Sequence, residues 1–267
     1  MNQFLEAIVL GIVQGLTEFL PVSSSGHLEI FKALFGDTHQ GEASLLMTVA
    51  LHFATALSTV IVFRKDIGLI LHDTFLKRGW ESKRLAFLIL ISMIPAALIG
   101  ILLEDQIEAL FTGNLIWVGV ALLLTGGLLW LSDRMKESDH VVDPWRAIVI
   151  GIAQAIAIIP GISRSGATIT TALFMHTQRY NATRFSFLMV IPLIFGKMAK
   201  DLLDGTLEKV ASTEWLSLGI GFTAAFITGI WACTSMLRWV QNSKLKYFAW
   251  YCFVIGSLVI FYHLFIR

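Results

Sequence analysis

Charged residues are scarce in this chain: they make up 15% of its 267 residues and nearly cancel, to a net charge of +1. A surface that binds nucleic acid carries an excess of Lys and Arg, so the composition gives no sign of such a partner. The chain also has only two cysteines, Cys233 and Cys252. Both fall in apolar segments, which favours small buried side chains over a disulfide or a metal site.

A basic segment is also missing ahead of the first apolar run. The chain begins MNQFLEAIVLG and carries Glu6 there, so we do not expect a cleaved signal peptide. What the chain has in abundance is hydrophobic sequence, at 56% of its residues. Such a composition is typical of an integral membrane protein rather than a soluble enzyme.

The apolar runs predict an all-α polytopic membrane protein with a single membrane domain, residues 1–267. Six runs are long enough to be transmembrane helices, and two others are interrupted, which indicates re-entrant helix pairs. The predicted spans cover residues 42–63, 85–103, 115–131, 183–203, 216–237 and 247–266, and the re-entrant pairs cover residues 4–35 and 146–175.

The first interrupted run reads GIVQGLTEFLPVSSSGHL over residues 11–28. Within apolar sequence it holds Glu18, then Pro21, which breaks a helix, and then three serines and His27. Such groups are tolerated at membrane depth only inside protein or beside a water-filled cavity. We therefore predict a broken helix, and we call its polar turn, residues 18–27, the first elbow.

The same design recurs in the second half of the chain, as GIAQAIAIIPGISRSGATIT over residues 151–170. Its polar turn, residues 158–167, is the second elbow, in which SRSG corresponds to SSSG of the first. The charged groups differ, since Glu18 and His27 occur only in the first elbow and Arg164 only in the second. Paired interrupted segments in two halves of a membrane protein are typical of a binding site.

Three predicted spans separate the two elbows. Because three is odd, the second repeat, about residues 140–267, is predicted to be inverted relative to the first, about residues 1–135, with the elbows meeting near the membrane midplane. The connectors at residues 64–84 and 132–145 contain many of the Lys and Arg residues, which predicts that they are cytoplasmic. Both termini, the acidic loop at residues 104–108 and the mouth of the site would then face outward.

The residue types at the elbows are suited to binding phosphate. Serines stand where each helix restarts, so their hydroxyls can cap it, and the helix N-terminus attracts an anion. Arg164 adds a permanent cation that binds two phosphate oxygens at once. We therefore predict a phosphate-bearing ligand presented by the membrane. The predicted binding residues are Ser23, Ser25, Gly26, Ser163, Ser165, Gly166 and Thr168.

Each charged or polar group of the elbows also has a structural alternative. Arg164 could only tie the elbows together, with Glu18 as its buried counter-ion. His27, about one turn after Ser24, could pack against the elbow instead of acting on the ligand. Gln14, one turn before Glu18, could serve polar contacts between helices or contact the ligand. The residues alone leave these alternatives open.

The first predicted span carries a polar stripe on one helix face. Hydrogen bonds between helices account for such a stripe, and a lining for the ligand pathway is the alternative. One member, His52, could face the cavity between the elbows. The stripe consists of Ser44, Thr48, His52, Thr55 and Ser58.

The two elbow motifs resemble those of the undecaprenyl pyrophosphate phosphatase family, also called bacitracin-resistance proteins. The family has a Glu/Gln-x-x-x-Glu motif running into PVSSxGH, matched by residues 14–18 and 21–27, and a PGxSRSGAT motif, matched by residues 160–168. Length and span layout agree too, so the resemblance covers the whole chain. Many relatives carry Glu where this chain has Gln14, which removes one negative charge from any metal site.

The resemblance implies a bacterial inner-membrane enzyme that hydrolyses undecaprenyl diphosphate to undecaprenyl phosphate and inorganic phosphate. This reaction recycles the lipid carrier of peptidoglycan synthesis and gives resistance to bacitracin. The resemblance makes Ser24 the leading nucleophile, with His27 as its base or as the acid for the leaving group; attack by His27 itself stays open. Arg164 would stabilise developing charge. Glu18, with Gln14, would bind the family's Mg²⁺ or Ca²⁺, or Glu18 would orient His27.

A lipid-phosphate transporter that hydrolyses nothing is the main alternative, because inverted repeats with broken helices serve transport equally well. The unequal elbows favour the enzyme, since Ser24, His27 and Glu18 on one side and Arg164 on the other are suited to react together. The expected partners are a polyprenyl diphosphate lipid and the bilayer, with no nucleic acid, and homodimer formation is left open.

Overall fold

The computed structural model describes residues 3–35, 42–75, 79–103, 115–136, 138–203, 215–242 and 244–265. Within these ranges the chain forms helices, and one isolated β-bridge joins His140 and Thr177. The helices are α1 (Gln3–Thr17), α2 (Ser24–Phe35), α3 (Glu42–Val62), α4 (Arg64–Phe75), α5 (Trp80–Leu102), α6 (Leu115–Asp133), α7 (Pro144–Ile156), α8 (Arg164–Phe174), α9 (Arg179–Leu203), α10 (Trp215–Gln241) and α11 (Leu245–Phe265).

Among the described residues, five helices are long and apolar enough to cross a membrane: α5, α6, α9, α10 and α11. A sixth span results if α3 and α4 are taken together, since they are bent by 74° at the break between them. The protein is therefore an all-helical, polytopic membrane protein, as predicted. An ion pair of 2.6 Å between Asp66 and Arg184 holds α4 to α9.

The predicted helix positions agree with the observed ones, with shifts at the ends. α5 begins at Trp80, where the prediction began at residue 85, and α9 begins at Arg179 rather than at residue 183. Many of the additional residues are polar or charged, so hydrophobicity alone does not predict them. The acidic loop at residues 104–108 and the side chain of Ser44 lie outside the described residues.

Helix neighbours are exchanged between the two halves of the chain. α1 packs along α10, and its counterpart α7 packs along α5. Both contacts are close, because a Cβ atom at Gly11 would overlap the carbonyl of Gly221, and one at Gly151 would overlap the carbonyl of Ser92. The glycines that open the two GIxQ motifs thus let two helix backbones approach. The repeat boundaries and the inverted orientation stay predictions.

The largest cluster of buried apolar side chains includes residues of the first elbow and of helices from both halves. In it Phe19, next to Glu18 in sequence, meets Phe187 of α9 edge to face, with ring centroids 5.6 Å apart. Phe187 also contacts Phe63, at the end of α3, with centroids 6.1 Å apart. Buried aromatic rings are held by their neighbours, so this cluster fixes the backbone that carries Glu18.

Candidate active site

The first elbow is closed by a serine that caps the restarting helix. α1 ends at Thr17, and α2 begins at Ser24. The hydroxyl of Ser23 accepts a hydrogen bond from the N–H of Gly26 at 3.2 Å, and its carbonyl accepts from the N–H of His27 at 3.1 Å. Ser23 does this with a φ of 70°, a left-handed conformation that is uncommon for a residue other than glycine.

The second elbow caps its helix in the same way but turns at a glycine. The hydroxyl of Ser163 accepts from the N–H of Gly166 at 3.0 Å, and Ser163 has an ordinary φ of −72°. The left-handed residue here is Gly161, at φ +88°, where a Cβ would collide with the backbone of Val118. The N–H of Ser163 donates to Thr125 Oγ1 on α6 at 3.2 Å, which anchors this elbow.

The carboxylate of Glu18 joins the two elbows. Its Oε2 accepts hydrogen bonds from Ser24 Oγ at 2.7 Å and from Gln14 Nε2 at 3.0 Å, and its Oε1 accepts from Arg164 Nη2. Glu18 is 7% exposed, so these contacts lie in a poorly hydrated environment. Four of the predicted site residues therefore meet, and the ion pair that the sequence left open between Glu18 and Arg164 is formed.

The other predicted binding residues make contacts within and between the elbows. Ser165 Oγ donates to Leu20 O at 3.3 Å and lies 3.3 Å from Ser163 Oγ. Thr168 Oγ1 donates to Arg164 O at 2.9 Å. In the first elbow, Ser23 Oγ and Ser25 Oγ are 3.4 Å apart. Gly26 of the first elbow lies against Gly161 of the second, since a Cβ added at Gly26 would be 3.1 Å from the Cα of Gly161. Their contact with a ligand stays a prediction.

His27 lies differently from the prediction that it serves Ser24 as a base. Its Nδ1 is 2.7 Å from Ser23 O, and its Nε2 is 2.8 Å from the hydroxyl of Tyr251 on α11. The two rings stack, with centroids 5.6 Å apart and an angle of 14° between their planes. Because both ring nitrogens have these partners, the acceptor beside Ser24 is Glu18. Any part of His27 in the reaction itself stays a prediction.

Two residues of α3 also reach the cluster. His52 Nε2 is 3.9 Å from Glu18 Oε2, and Thr55 Oγ1 is 3.5 Å from Gln14 Nε2. The polar stripe of the first span was the sequence signal for both. Ser58 of the same stripe instead donates to Phe226 O on α10 at 2.8 Å, so the stripe serves the cluster at one end and contact between helices at the other. Tyr251 had no signal in the sequence, because nothing distinguishes it from other aromatic residues of a span.

Two buried polar atoms beside Glu18 have no hydrogen-bond partner among the described residues. They are Arg164 Nη1 and Gln14 Oε1, the first a charged donor and the second a neutral acceptor. An unpaired buried polar group is costly, so a ligand, an ion or a water molecule can satisfy each of these two atoms. The arrangement can thus hold an anion on the guanidinium, while the Glu18 carboxylate takes a proton from the Ser24 hydroxyl.

Fold and site together define a polytopic helical membrane protein in which a serine, a carboxylate and a guanidinium meet at two broken helices. The chain belongs to the family described as Bacitracin resistance protein BacA, which matches residues 7–258. It is similar to an undecaprenyl-diphosphatase of Christiangramia forsetii, with 55% identity over 258 residues, 96% of this chain and 97% of that protein.

Two further relatives carry the same name. The undecaprenyl-diphosphatase of Bacteroides fragilis is 44% identical over 267 residues, 97% of this chain and 97% of that protein. The undecaprenyl-diphosphatase of Methanococcus vannielii is 41% identical over 261 residues, 97% of this chain and 100% of that protein. The resemblance identified from the two elbow motifs is thus confirmed over nearly the full length of the chain.

Proposed function

We propose that the chain is an undecaprenyl-diphosphatase, the activity for which its relatives are named. It hydrolyses undecaprenyl diphosphate to undecaprenyl phosphate and inorganic phosphate. The observation that carries the proposal is the meeting of Ser24 and Arg164 on the two oxygens of Glu18. A hydroxyl, a base for its proton and a fixed cation are the groups that phosphoryl transfer to a serine uses.

In the first step, the Ser24 oxygen attacks the terminal phosphorus. Its proton passes to Glu18 Oε2, which accepts the Ser24 hydrogen bond at 2.7 Å. The new bond joins Ser24 Oγ to phosphorus, the anhydride P–O bond breaks, and undecaprenyl phosphate leaves with the electron pair of that bond. In the second step, water attacks the phosphoserine and releases inorganic phosphate.

Arg164 binds the phosphate on which negative charge develops. Its Nη2 holds Glu18, and its buried Nη1 has no partner among the described residues, so one arm of the guanidinium is available for a phosphate oxygen. Electrostatic stabilisation by a preorganised cation is stronger in a poorly hydrated site than in water. The helix N-termini at Ser24 and Arg164 add backbone N–H groups that have no acceptor within their own helices.

Glu18 thus takes the part that the sequence suggested for His27. The imidazole holds the start of α2 through Ser23 O and is itself held by Tyr251 on α11. Because Ser24 is the first residue of α2, a fixed helix start keeps its hydroxyl on Glu18. His27 therefore contributes by positioning the nucleophile.

The Mg²⁺ or Ca²⁺ implied by the family fits the oxygen atoms at this site. Gln14 Oε1 is buried without a partner beside the Glu18 carboxylate, and both are oxygen ligands of the kind these ions prefer. These two residues would hold the ion together with phosphate oxygens while Glu18 is ionised, before it takes the Ser24 proton, and the ion would supply charge that offsets the negative charge of the diphosphate. Among the described residues no group of three His, Cys, Asp or Glu side chains forms a complete cage, so shared coordination with the substrate is expected.

Phosphate release by the purified protein tests the proposal. Undecaprenyl diphosphate in detergent should yield one inorganic phosphate per lipid, and a chelator should lower the rate. Arg164→Ala and Glu18→Ala should each remove the activity while the protein stays folded by circular dichroism. A folded wild-type protein that releases no phosphate in the presence of Mg²⁺ or Ca²⁺ would contradict the proposal.

We place the enzyme in the bacterial inner membrane, as the family resemblance implies, and its basic connectors favour a site that opens to the outer side. A cysteine at Asp105 should then react with an impermeant maleimide in intact cells, whereas a cysteine at Glu81 should not. The reverse pattern would contradict the orientation.

Recycling of the lipid carrier should also raise the tolerance of cells to bacitracin, which growth assays with the wild type and Arg164→Ala can test.

Transport of a polyprenyl phosphate is the second candidate function. The two broken helices, one in each half of the chain, favour it, because paired discontinuous helices are typical of transporter binding sites. Vesicles containing the protein and a fluorescent polyprenyl phosphate distinguish the two functions. Lipid transport that persists in Ser24→Ala would support a transporter. A wild type that releases phosphate but moves no lipid across the vesicle membrane would have hydrolysis as its only function of the two.

A further inference from the structure

His52 of α3 is a titratable side chain beside the reacting groups that the proposed first step leaves unused. Its Nε2 is 3.9 Å from Glu18 Oε2, the same oxygen that accepts the hydrogen bond of Ser24. The side chain of His52 is 32% exposed, whereas that of Glu18 is 7% exposed. His52 therefore lies at the accessible edge of the buried cluster.

A backbone contact selects the tautomer of the neutral His52 ring. Its Nδ1 is 2.9 Å from Thr48 O, and a carbonyl oxygen only accepts, so Nδ1 carries the proton in the neutral ring. The lone pair is then on Nε2, on the side of Glu18. The Nε2 of His27, in contrast, accepts a hydrogen bond from the hydroxyl of Tyr251, so its lone pair is not available to take a proton from water.

The distance between His52 and Glu18 suits a shared water molecule. At 3.9 Å the two atoms are too far apart for a direct hydrogen bond, but both can contact one water placed between them. That water would lie beside Ser24, because Glu18 Oε2 is also 2.7 Å from Ser24 Oγ. Water at this position is next to the phosphorus of a phosphoserine at Ser24.

We propose that His52 is the general base for the second step, which rests on the proposed function. Water adds to the phosphorus of the phosphoserine, and its proton goes to His52 Nε2. The bond between phosphorus and Ser24 Oγ breaks, and the proton that Glu18 took in the first step returns to that oxygen. Inorganic phosphate leaves, Ser24 and Glu18 are restored, and His52 releases its proton to solvent.

Glu18 cannot serve as the base in both steps. It holds the Ser24 proton after the first step, so it is an acid and not a base when water attacks. Its two oxygens also carry the hydrogen bonds of Gln14 and Arg164. In this proposal the buried carboxylate of Glu18 takes the proton of the serine, and the more exposed imidazole of His52 takes the proton of the water.

The test is rapid-quench labelling of the full-length protein with undecaprenyl diphosphate that carries phosphorus-32 at its terminal phosphate. His52→Gln keeps a hydrogen-bonding side chain but removes the base. Phosphoserine should form at the wild-type rate and accumulate, while phosphate release falls about a hundredfold, a typical loss for a general base. In His52→Ala, added imidazole should restore part of the release, since the site is accessible.

His72→Gln is the matched control, because His72 lies on α4, contacts Asp73 and is 47% exposed. Its phosphate release should equal that of the wild type. Release by His52→Gln within about twofold of the wild type, or a loss without accumulated phosphoserine, would overturn the inference. A wild type that releases no phosphate would overturn the proposed function and this inference with it, whereas the first two outcomes leave that function intact.

Discussion

The two elbows share one frame and differ in what it carries. In each, a serine hydroxyl caps the helix that restarts, at 3.2 Å from Gly26 N in the first elbow and 3.0 Å from Gly166 N in the second. The position after that serine holds Ser24 in one elbow and Arg164 in the other. Equal backbones thus present a nucleophile from one side and a cation from the other.

The frames also differ in where the chain is left-handed. The first elbow places Ser23, the capping residue itself, at φ 70°, while the second places Gly161 at φ +88°, two residues before its cap. A left-handed serine is less favourable than a left-handed glycine. Residues in such conformations cluster at active sites, so the strain agrees with the first elbow as the side that reacts.

The largest effect is expected from removing the hydroxyl of the first elbow. Ser24→Ala should lower turnover by at least about a thousandfold, roughly 4 kcal/mol, because Ser24 is the one hydroxyl among the described residues that donates to Glu18. Binding of a non-hydrolysable diphosphate analogue should persist, since Arg164 remains. The measurements are phosphate release and equilibrium binding of the analogue.

Ser165→Ala, in the second elbow, is the comparison, because its hydroxyl contacts Ser163 and Leu20 O rather than Glu18. It should cost much less activity than Ser24→Ala.

Rapid-quench labelling provides a second readout: label stable to acid should disappear in Ser24→Ala. Acid-labile label that persists in Ser24→Ala and disappears in His27→Ala would instead make His27 the nucleophile.

The next effect concerns the cation of the second elbow. Arg164→Lys keeps the charge but loses the planar group that can hold Glu18 with one arm and a phosphate oxygen with the other. Turnover should fall at least about tenfold, or roughly 1.4 kcal/mol. Steady-state kinetics on folded protein measures this change, and near-normal activity would mean that Arg164 is only the counter-ion of Glu18.

The elbows could be predicted because their chemistry is local. Glu18, Pro21 and the serines interrupt apolar sequence. Because a polar group in a span has to face protein or water, the polar residues of the two elbows are expected to meet inside the protein. The meeting of Glu18 with Arg164, 146 residues apart, was one of two alternatives that the sequence left open. The family resemblance added the prediction that the ligand is a polyprenyl diphosphate.

The two histidines could not be assigned from the sequence. His27 is one turn from Ser24 on the same helix, yet its ring turns to Tyr251, 224 residues away. His52 is on another helix, yet it is 3.9 Å from Glu18. Helical periodicity gives the face on which a side chain lies, but the partner depends on how distant helices pack, and periodicity carries no information on that.

A smaller effect should follow from changing the charge near Glu18. Gln14→Glu replaces the amide nitrogen that donates to Glu18 Oε2 by a carboxylate oxygen, and a divalent cation would relieve the repulsion between the two carboxylates. The Mg²⁺ concentration for half-maximal activity should fall, by up to about tenfold. A titration of activity against Mg²⁺ measures this.

The matched variant in the second half is Gln154→Glu, at the corresponding position of the GIxQ motif. Both side-chain amide atoms of Gln154 are buried without a partner among the described residues. The new charge should lower the thermal midpoint without changing the metal dependence, because no carboxylate corresponds to Glu18 there. Equal shifts in metal dependence for the two variants would contradict a metal site at the first elbow.

The smallest effect concerns the caps, and it separates the elbows by stability alone. Ser163→Gly removes a cap hydrogen bond at a residue of ordinary φ, so it should destabilise the protein by roughly 0.3 kcal/mol. Ser23→Gly removes the same hydrogen bond but relieves a left-handed serine, worth about 1 kcal/mol in the other direction. The relief exceeds the loss at residue 23, so the thermal midpoint of Ser23→Gly in detergent should be at or above that of the wild type while that of Ser163→Gly falls slightly. Ser23→Asn, which keeps a capping oxygen and tolerates positive φ, should be at least as stable as the wild type. Equal losses in both glycine variants would show that the conformation of Ser23 costs nothing, and the first elbow would then lose its claim to be the strained one.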